Sequence, residues 1–343
     1  MPRAPLLRLP KTSLLPTMPR HAIASALLCF ASTAVFAHSD SDFKALIKER
    51  KFADVETLAQ QRLAKDSKDD MAWWYLSRFG AGDEKKREAL IPKLEKCVAD
   101  LPMSAKCHHA LGIVYGASAQ SAGLVNGIKY AGRIKDMFAK AVELDPANFD
   151  SRRDLNMFYL QAPGIVGGSV RKAYANADAH AKINATQGAI LRAEVHAYDK
   201  EFEQAEKLLS AVKPAAGDDT TPGLLTQSWI NVGLTMVNDK KAPAAVAMFE
   251  RRLAAEPANA AFLAGLGRAQ LESGAVDAAI MSLEKVLALD KNINVHYRLG
   301  IAYQTKGDKA KALAALQQFM SSNPGGRAAD DAKSRIEALK KAA

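Results

Sequence analysis

Cys107, His108 and His109 stand side by side and are residue types that bind metals. Consecutive positions on a helix project in different directions, and a helical ligand pair needs a spacing of three or four, so these three cannot converge on one ion. The spacing of a tetrahedral site is absent as well, and neither a metal nor another cofactor is expected. Cys97 and Cys107 are the only cysteines beyond residue 37. Two antiparallel helices joined through Asp100–Ala105 would bring them close, either as a disulfide in an oxidising compartment or as two small buried residues. Gly164, Gly167, Gly168 and Ser169 belong to a glycine-rich turn just before a helix that starts at Val170. Backbone amides at such a helix start can hold an anion. The Gly-Lys-Ser/Thr signature of a phosphate-binding loop is missing, and Ser169 also reads as a plain N-cap. There is no nucleophile elbow, no histidine pair on one helix face and no distinctive acid pair, so no enzyme is expected.

What must position these residues is a helical framework. Of the 343 residues 48% are hydrophobic, ample for a core, and glycine and proline occur singly at intervals, as between short helices. The net charge is +10. Residues 1–37 hold four basic and no acidic residues, which leaves 43 basic against 37 acidic in the remainder. That excess is spread out, whereas a nucleic-acid binder concentrates it in a stripe, so nucleic acid is not an expected partner. Ala22–Ala37 is an uncharged, mostly apolar run behind Arg20, ending Val35-Phe36-Ala37. Basic head, apolar run and small residue at the cut form the secretory pattern, and the run falls short of the ~20 residues that span a bilayer. Residues 1–37 are therefore expected to be a signal peptide, with residues 1–17 an extension if Met18 is the start. The protein is expected to be periplasmic or otherwise exported, with membrane association only indirect.

An internal repeat dominates the rest. Trp229-x-x-Val232-Gly233 is followed by Ala245, Phe249 and Pro257. Leu266-Gly267 is followed by Ala279 and Leu283, and Leu299-Gly300-x-x-Tyr303 by Ala312, Leu316 and Pro324. Gly233 to Gly267 is 34 residues and Gly267 to Gly300 is 33. Small residues let paired helices approach, large ones fill the gaps between units, and proline opens the next turn. This pattern resembles the tetratricopeptide repeat, in an exported bacterial type of protein. The resemblance implies an all-α, right-handed solenoid of about eight helix-turn-helix units over 38–326, closed by a capping helix over 327–343 that turns Ala329, Ala332, Ile336 and Leu339 inward. Earlier units follow more loosely, with Leu111-Gly112-x-x-Tyr115 ahead of Phe138, Ala141 and Pro146, and Leu155 and Tyr159 ahead of Ala173. Two of them carry insertions, read as enlarged loops at Ala117–Gly127 and Ala162–Gly168.

The resemblance implies a non-catalytic scaffold or adaptor that binds a protein or peptide on the concave face made by the first helices. Laid onto this sequence, the repeat puts Trp74, Arg78, His109, Arg153, Met157, Tyr198, Arg268 and Tyr297 near that face. Basic and aromatic residues there would suit a polypeptide with acidic groups; the alternative is that they pack against neighbouring units. Another class remains open, an accessory subunit that takes a small anionic or polysaccharide ligand through the two insertions. These should be neighbours, because equivalent turns of consecutive units stack. Their apolar pairs, Leu124 and Val125 with Ile165 and Val166, are expected to pack into an ordered ridge.

Overall fold

The computed structural model describes residues 39–322 and 326–341. The expected leader, residues 1–37, lies outside them, as does Pro324. Every regular element among the described residues is helical, in pairs. They are α1 (Ser41–Lys48) with α2 (Phe52–Lys65), α3 (Asp70–Gly80) with α4 (Glu84–Asp100), and the two arms of α5 (Ala105–Leu144). Then come α6 (Phe149–Gln161) with α7 (Val170–Ala181), α8 (Ala185–Tyr198) with α9 (Phe202–Ala211), and α10 (Thr221–Asn238) with α11 (Ala242–Ala255). The series continues through α12 (Ala260–Glu272) with α13 (Val276–Leu289), α14 (His296–Lys306) with α15 (Lys309–Ser322), and a final α16 (Gly326–Lys341). The fold is an all-α helical repeat solenoid.

The sequence marks where the first helix of a unit begins. Asp69, Ser104, Asn148, Asn184 and Asn259 are N-caps of α3, α5, α6, α8 and α12, each accepting a hydrogen bond from an amide of the first turn. Such a cap is worth about 1 kcal/mol over alanine. Within a unit the two helices touch through the small-residue slot. A Cβ on Gly267 would lie 2.6 Å from Leu283, and one on Gly300 would lie 2.6 Å from Leu316, so any larger residue would push the pair apart. Between units the large slots form the core in successive clusters rather than one centre. The first runs from Phe43 to Phe158, the next from Phe149 to Ala269, and the last from Leu263 to Leu339. Polar ties repeat too: Tyr115 on α5 donates to Glu95 on α4 at 2.6 Å, and Tyr303 on α14 donates to Glu284 on α13. α16 packs on α15 with Ala329, Ala332 and Leu339 buried and Ile336 partly so.

The first insertion departs from the expected loop. Ala117–Gly127 is helical apart from a single break at Gly123 (φ 73°, ψ 174°) inside α5. The extra residues lengthen both helices of the third unit. Alanine is the best helix former, and an interior glycine costs only about 1 kcal/mol, so an Ala-rich, Gly-dotted stretch stays helical when a neighbouring arm packs against it. The arms approach closely, since a Cβ on Gly127 would come within 2.8 Å of the Ala119 carbonyl oxygen. The second insertion is a short 3-10 turn, Gly164–Val166, closed by Gly167 in the left-handed region (φ 103°).

Candidate functional site

The lengthened arms of α5, the body of α6, the turn after α6 and the end of α3 enclose a cleft of about 630 Å³. Its walls are mainly apolar, with Ile113, Ile134, Phe138, Met157, Phe158 and Val166 among them. The two insertions meet here: Ala117, Gly123 and Gly127 line it from one side, Ala162, Pro163 and Val166 from the other. Val166 packs against the core, whereas Ile165 is 87% exposed and takes no part in a ridge. The side chains of Leu124 and Val125 lie outside those described. Gly116 lines the cleft, and a Cβ added there meets nothing within 4 Å.

Four polar residues share the lining: Arg78, Gln120, Asp154 and Gln161. Two of them are held by one connected series of contacts. The Arg78 guanidinium lies 5.2 Å from the centroid of the Trp74 ring, and the Trp74 indole N–H donates to His109 Nδ1 at 2.8 Å. Indole nitrogen can only donate, so Nδ1 accepts, Nε2 carries the hydrogen, and it donates to Asp154 Oδ2 at 2.8 Å. This leaves the Arg78 donors, Asp154 Oδ1 and both glutamine amides without a protein partner among the described residues. Arg78 and Asp154 do not pair with each other there.

The residues expected on the binding face divide into two groups. Arg78 and Met157 line the cleft, and Tyr198 is exposed. The others are tied within the stack. His109 is 1% exposed with both ring nitrogens committed, and Trp74 is its partly buried partner. Arg153 makes a two-point contact with Glu194 at 3.1 and 2.7 Å, and Glu194 also accepts from Ser228 at 2.7 Å and Asn231 at 3.2 Å. That buried carboxylate locks α6, α8 and α10 together. Tyr297 donates to Asp331 of α16 at 2.7 Å. Arg268 reaches Asn238 at 3.1 Å; burial, then the nearby Arg298, lowers its pKa. His108, beside His109, is buried with Nε2 3.0 Å from the Pro102 carbonyl oxygen.

The glycine-rich turn bonds in part to itself. The amides of Val166 and Gly168 donate to the Pro163 carbonyl, that of Gly167 to Gly164 and that of Ser169 to Tyr159. These four amides are engaged within the turn and with α6. Ser169 is an N-cap, accepting from the Lys172 amide at 3.3 Å, and Gly168 allows a close approach, since a Cβ there would sit 1.7 Å from the Ala162 oxygen. Cys97 and Cys107 stand at disulfide-bonding distance, their Cα atoms 5.7 Å apart. Among the described residues no group of three His, Cys, Asp or Glu could hold a metal ion, and no helix is long and apolar enough to cross a membrane.

Residues 295–326, comprising α14 and α15, match the tetratricopeptide-repeat family. The chain therefore carries a tetratricopeptide repeat. Among solved structures it is similar to yeast Tom70, with a TM-score of 0.56 and 15% identity over 89% of this chain and 62% of that one. A tetratricopeptide-repeat protein from Parabacteroides merdae aligns with a TM-score of 0.46 and 10% identity over 85% of this chain and 99% of that one. The Cut9-Hcn1 hetero-tetramer of APC/C aligns with a TM-score of 0.42 and 20% identity over 83% of this chain, which spans 52% of that one. At these identities the likeness concerns the fold. No curated protein matches the sequence.

Proposed function

We propose that this chain is an exported, non-catalytic scaffold that binds a polypeptide segment in the cleft between its second and fourth units. One observation carries the reading. The cleft is an apolar trough whose few polar groups comprise both free donors and free acceptors. A polypeptide offers that mixture, with N–H and C=O groups in its main chain and apolar side chains for the walls. A small anion needs converging donors alone, whereas the cleft lining adds the carboxylate of Asp154 to its donors.

Gly116→Phe tests the site. Its ring extends into open space, so helicity and melting should be unchanged, while binding of peptides selected from a random display library falls at least about tenfold, the loss of roughly 1.4 kcal/mol. Met281→Ala, at an exposed position on α13, should bind as wild type does. Unchanged binding by Gly116→Phe would place the partner elsewhere. Export rests on the residue pattern of 1–37 and gains support from the cysteine pair, since structural disulfides persist in oxidising compartments. Protein isolated from its native cells should begin at or near His38 and contain no free thiol; an unprocessed, reduced chain is the contrary result.

A further inference from the structure

Resting on that reading, we infer that the cleft selects a polypeptide segment of mixed charge, with a large apolar side chain flanked by an acidic group for Arg78 and a basic group for Asp154. Both charges line the same cleft and neither neutralises the other. Arg78 has no ion-pair partner among the described residues. Asp154 spends one oxygen on His109 and keeps the other. The contacts between them account for the separation: Arg78 is held against the face of Trp74, and Asp154 is pinned by His109, with Trp74 and His109 bonded to each other. Arg78 thus leans on Trp74 and Asp154 is held by His109 at separate points of the lining before any ligand arrives, and pre-positioned groups lose less entropy on binding.

The walls decide what this charge pattern selects. Beside apolar surface a charge pair interacts more strongly than in open water, so a ligand charge of the wrong sign is penalised as well as a right one rewarded. An acidic segment would satisfy Arg78 and oppose Asp154, and a basic one the reverse. An anionic lipid headgroup or inorganic phosphate meets the same conflict at Asp154. A segment carrying both signs satisfies both. In an extended chain residues i and i+2 share a face, so the charges belong two positions before and after the apolar anchor.

The probes are nine-residue peptides, blocked at both ends, with a central Phe in a Gly/Ser background. The positions two before and two after it carry Glu/Lys, Lys/Glu, Glu/Glu, Lys/Lys or Gln/Gln. Titration calorimetry against the mature protein should show one mixed-charge order binding about tenfold tighter than Gln/Gln, the scale of one well-placed charge contact. Arg78→Gln should remove the gain contributed by Glu and keep that from Lys. Asp154→Asn should do the opposite; asparagine still accepts from His109, so the contacts behind it persist. Circular dichroism of both variants should match wild type, Arg78 being exposed. Equal affinity for all five peptides, or a like-charged peptide binding best, would overturn the charge selection and leave the polypeptide cleft standing. Binding that Gly116→Phe does not weaken, or no binding by any peptide, would overturn both.

Discussion

Lys240 holds a left-handed backbone conformation (φ 61°) in the turn between α10 and α11. Arg50 and Lys200 do the same in their turns (φ 58° and 67°), whereas Gly274 and Gly307 fill that place in the last two units. For a residue with a Cβ this region costs roughly 1–2 kcal/mol. Part of that is recovered in the unfolded chain, where glycine is the more mobile. Lys240→Gly should therefore raise stability by about 1 kcal/mol, read as a higher urea midpoint at unchanged slope; a lower midpoint would mean that the lysine side chain contributes more than its backbone costs. The glycines were legible as turn residues because their effect is local. Asp154 and Glu194 were not. Each is one carboxylate among many on a helix, and their partners His109 and Arg153 stand 45 and 41 residues away in sequence. Arg78 and Met157, set near the first-helix face by the repeat register, line the cleft.

At the scale of elements, the helix pairs were readable wherever a small slot met a large one at fixed spacing, as at Gly267 with Leu283 and Gly300 with Leu316. The N-caps sharpened the starts. Ala117–Gly127 was misread because glycine and serine punctuate it, and local propensity argues for a loop. Packing decided otherwise, since the arms of α5 support each other across Gly127 and only Gly123 leaves the helix. The turn after α6 falls where the insertion was expected, and part of its hydrogen bonding is internal. A run of glycines reads the same whether its amides face a ligand or its own carbonyls, and here those of Gly167 and Gly168 face carbonyls. Sequence alone therefore located the two insertions but could not show that they build one cleft.

For the whole molecule, stability comes from interfaces repeated along the stack, and four of them bury a tyrosine wholly or in part. Burial is the first cause that pushes Tyr75, Tyr115, Tyr174 and Tyr303 up to about 12; nearby acids, Asp40, Glu95, Glu201 and Glu284, add to it. An unfolded tyrosine ionises near 10. The folded state thus keeps protons that the unfolded state releases, so this stabilisation is complete below pH 10 and is lost as pH rises towards 12. Tyrosinate absorbance and loss of helical circular dichroism should rise together in that window; tyrosinate appearing near pH 10 with the helices intact would contradict it. One tie joins distant units, Arg50 with Asp290 at 2.7 Å, but both ends are partly exposed and such a pair is worth at most about 1 kcal/mol. The helical nature of the third unit's extension sets a rule for the depth of the cleft. Each residue added to or removed from one arm of α5 rotates what lies beyond it by about 100°, because 3.6 residues make a turn. A single deletion would swing Ile134 and Phe138 out of the cleft. The wall can be raised or lowered only in whole turns, taken from both arms together in steps of about 5.4 Å, so its height behaves as a ratchet.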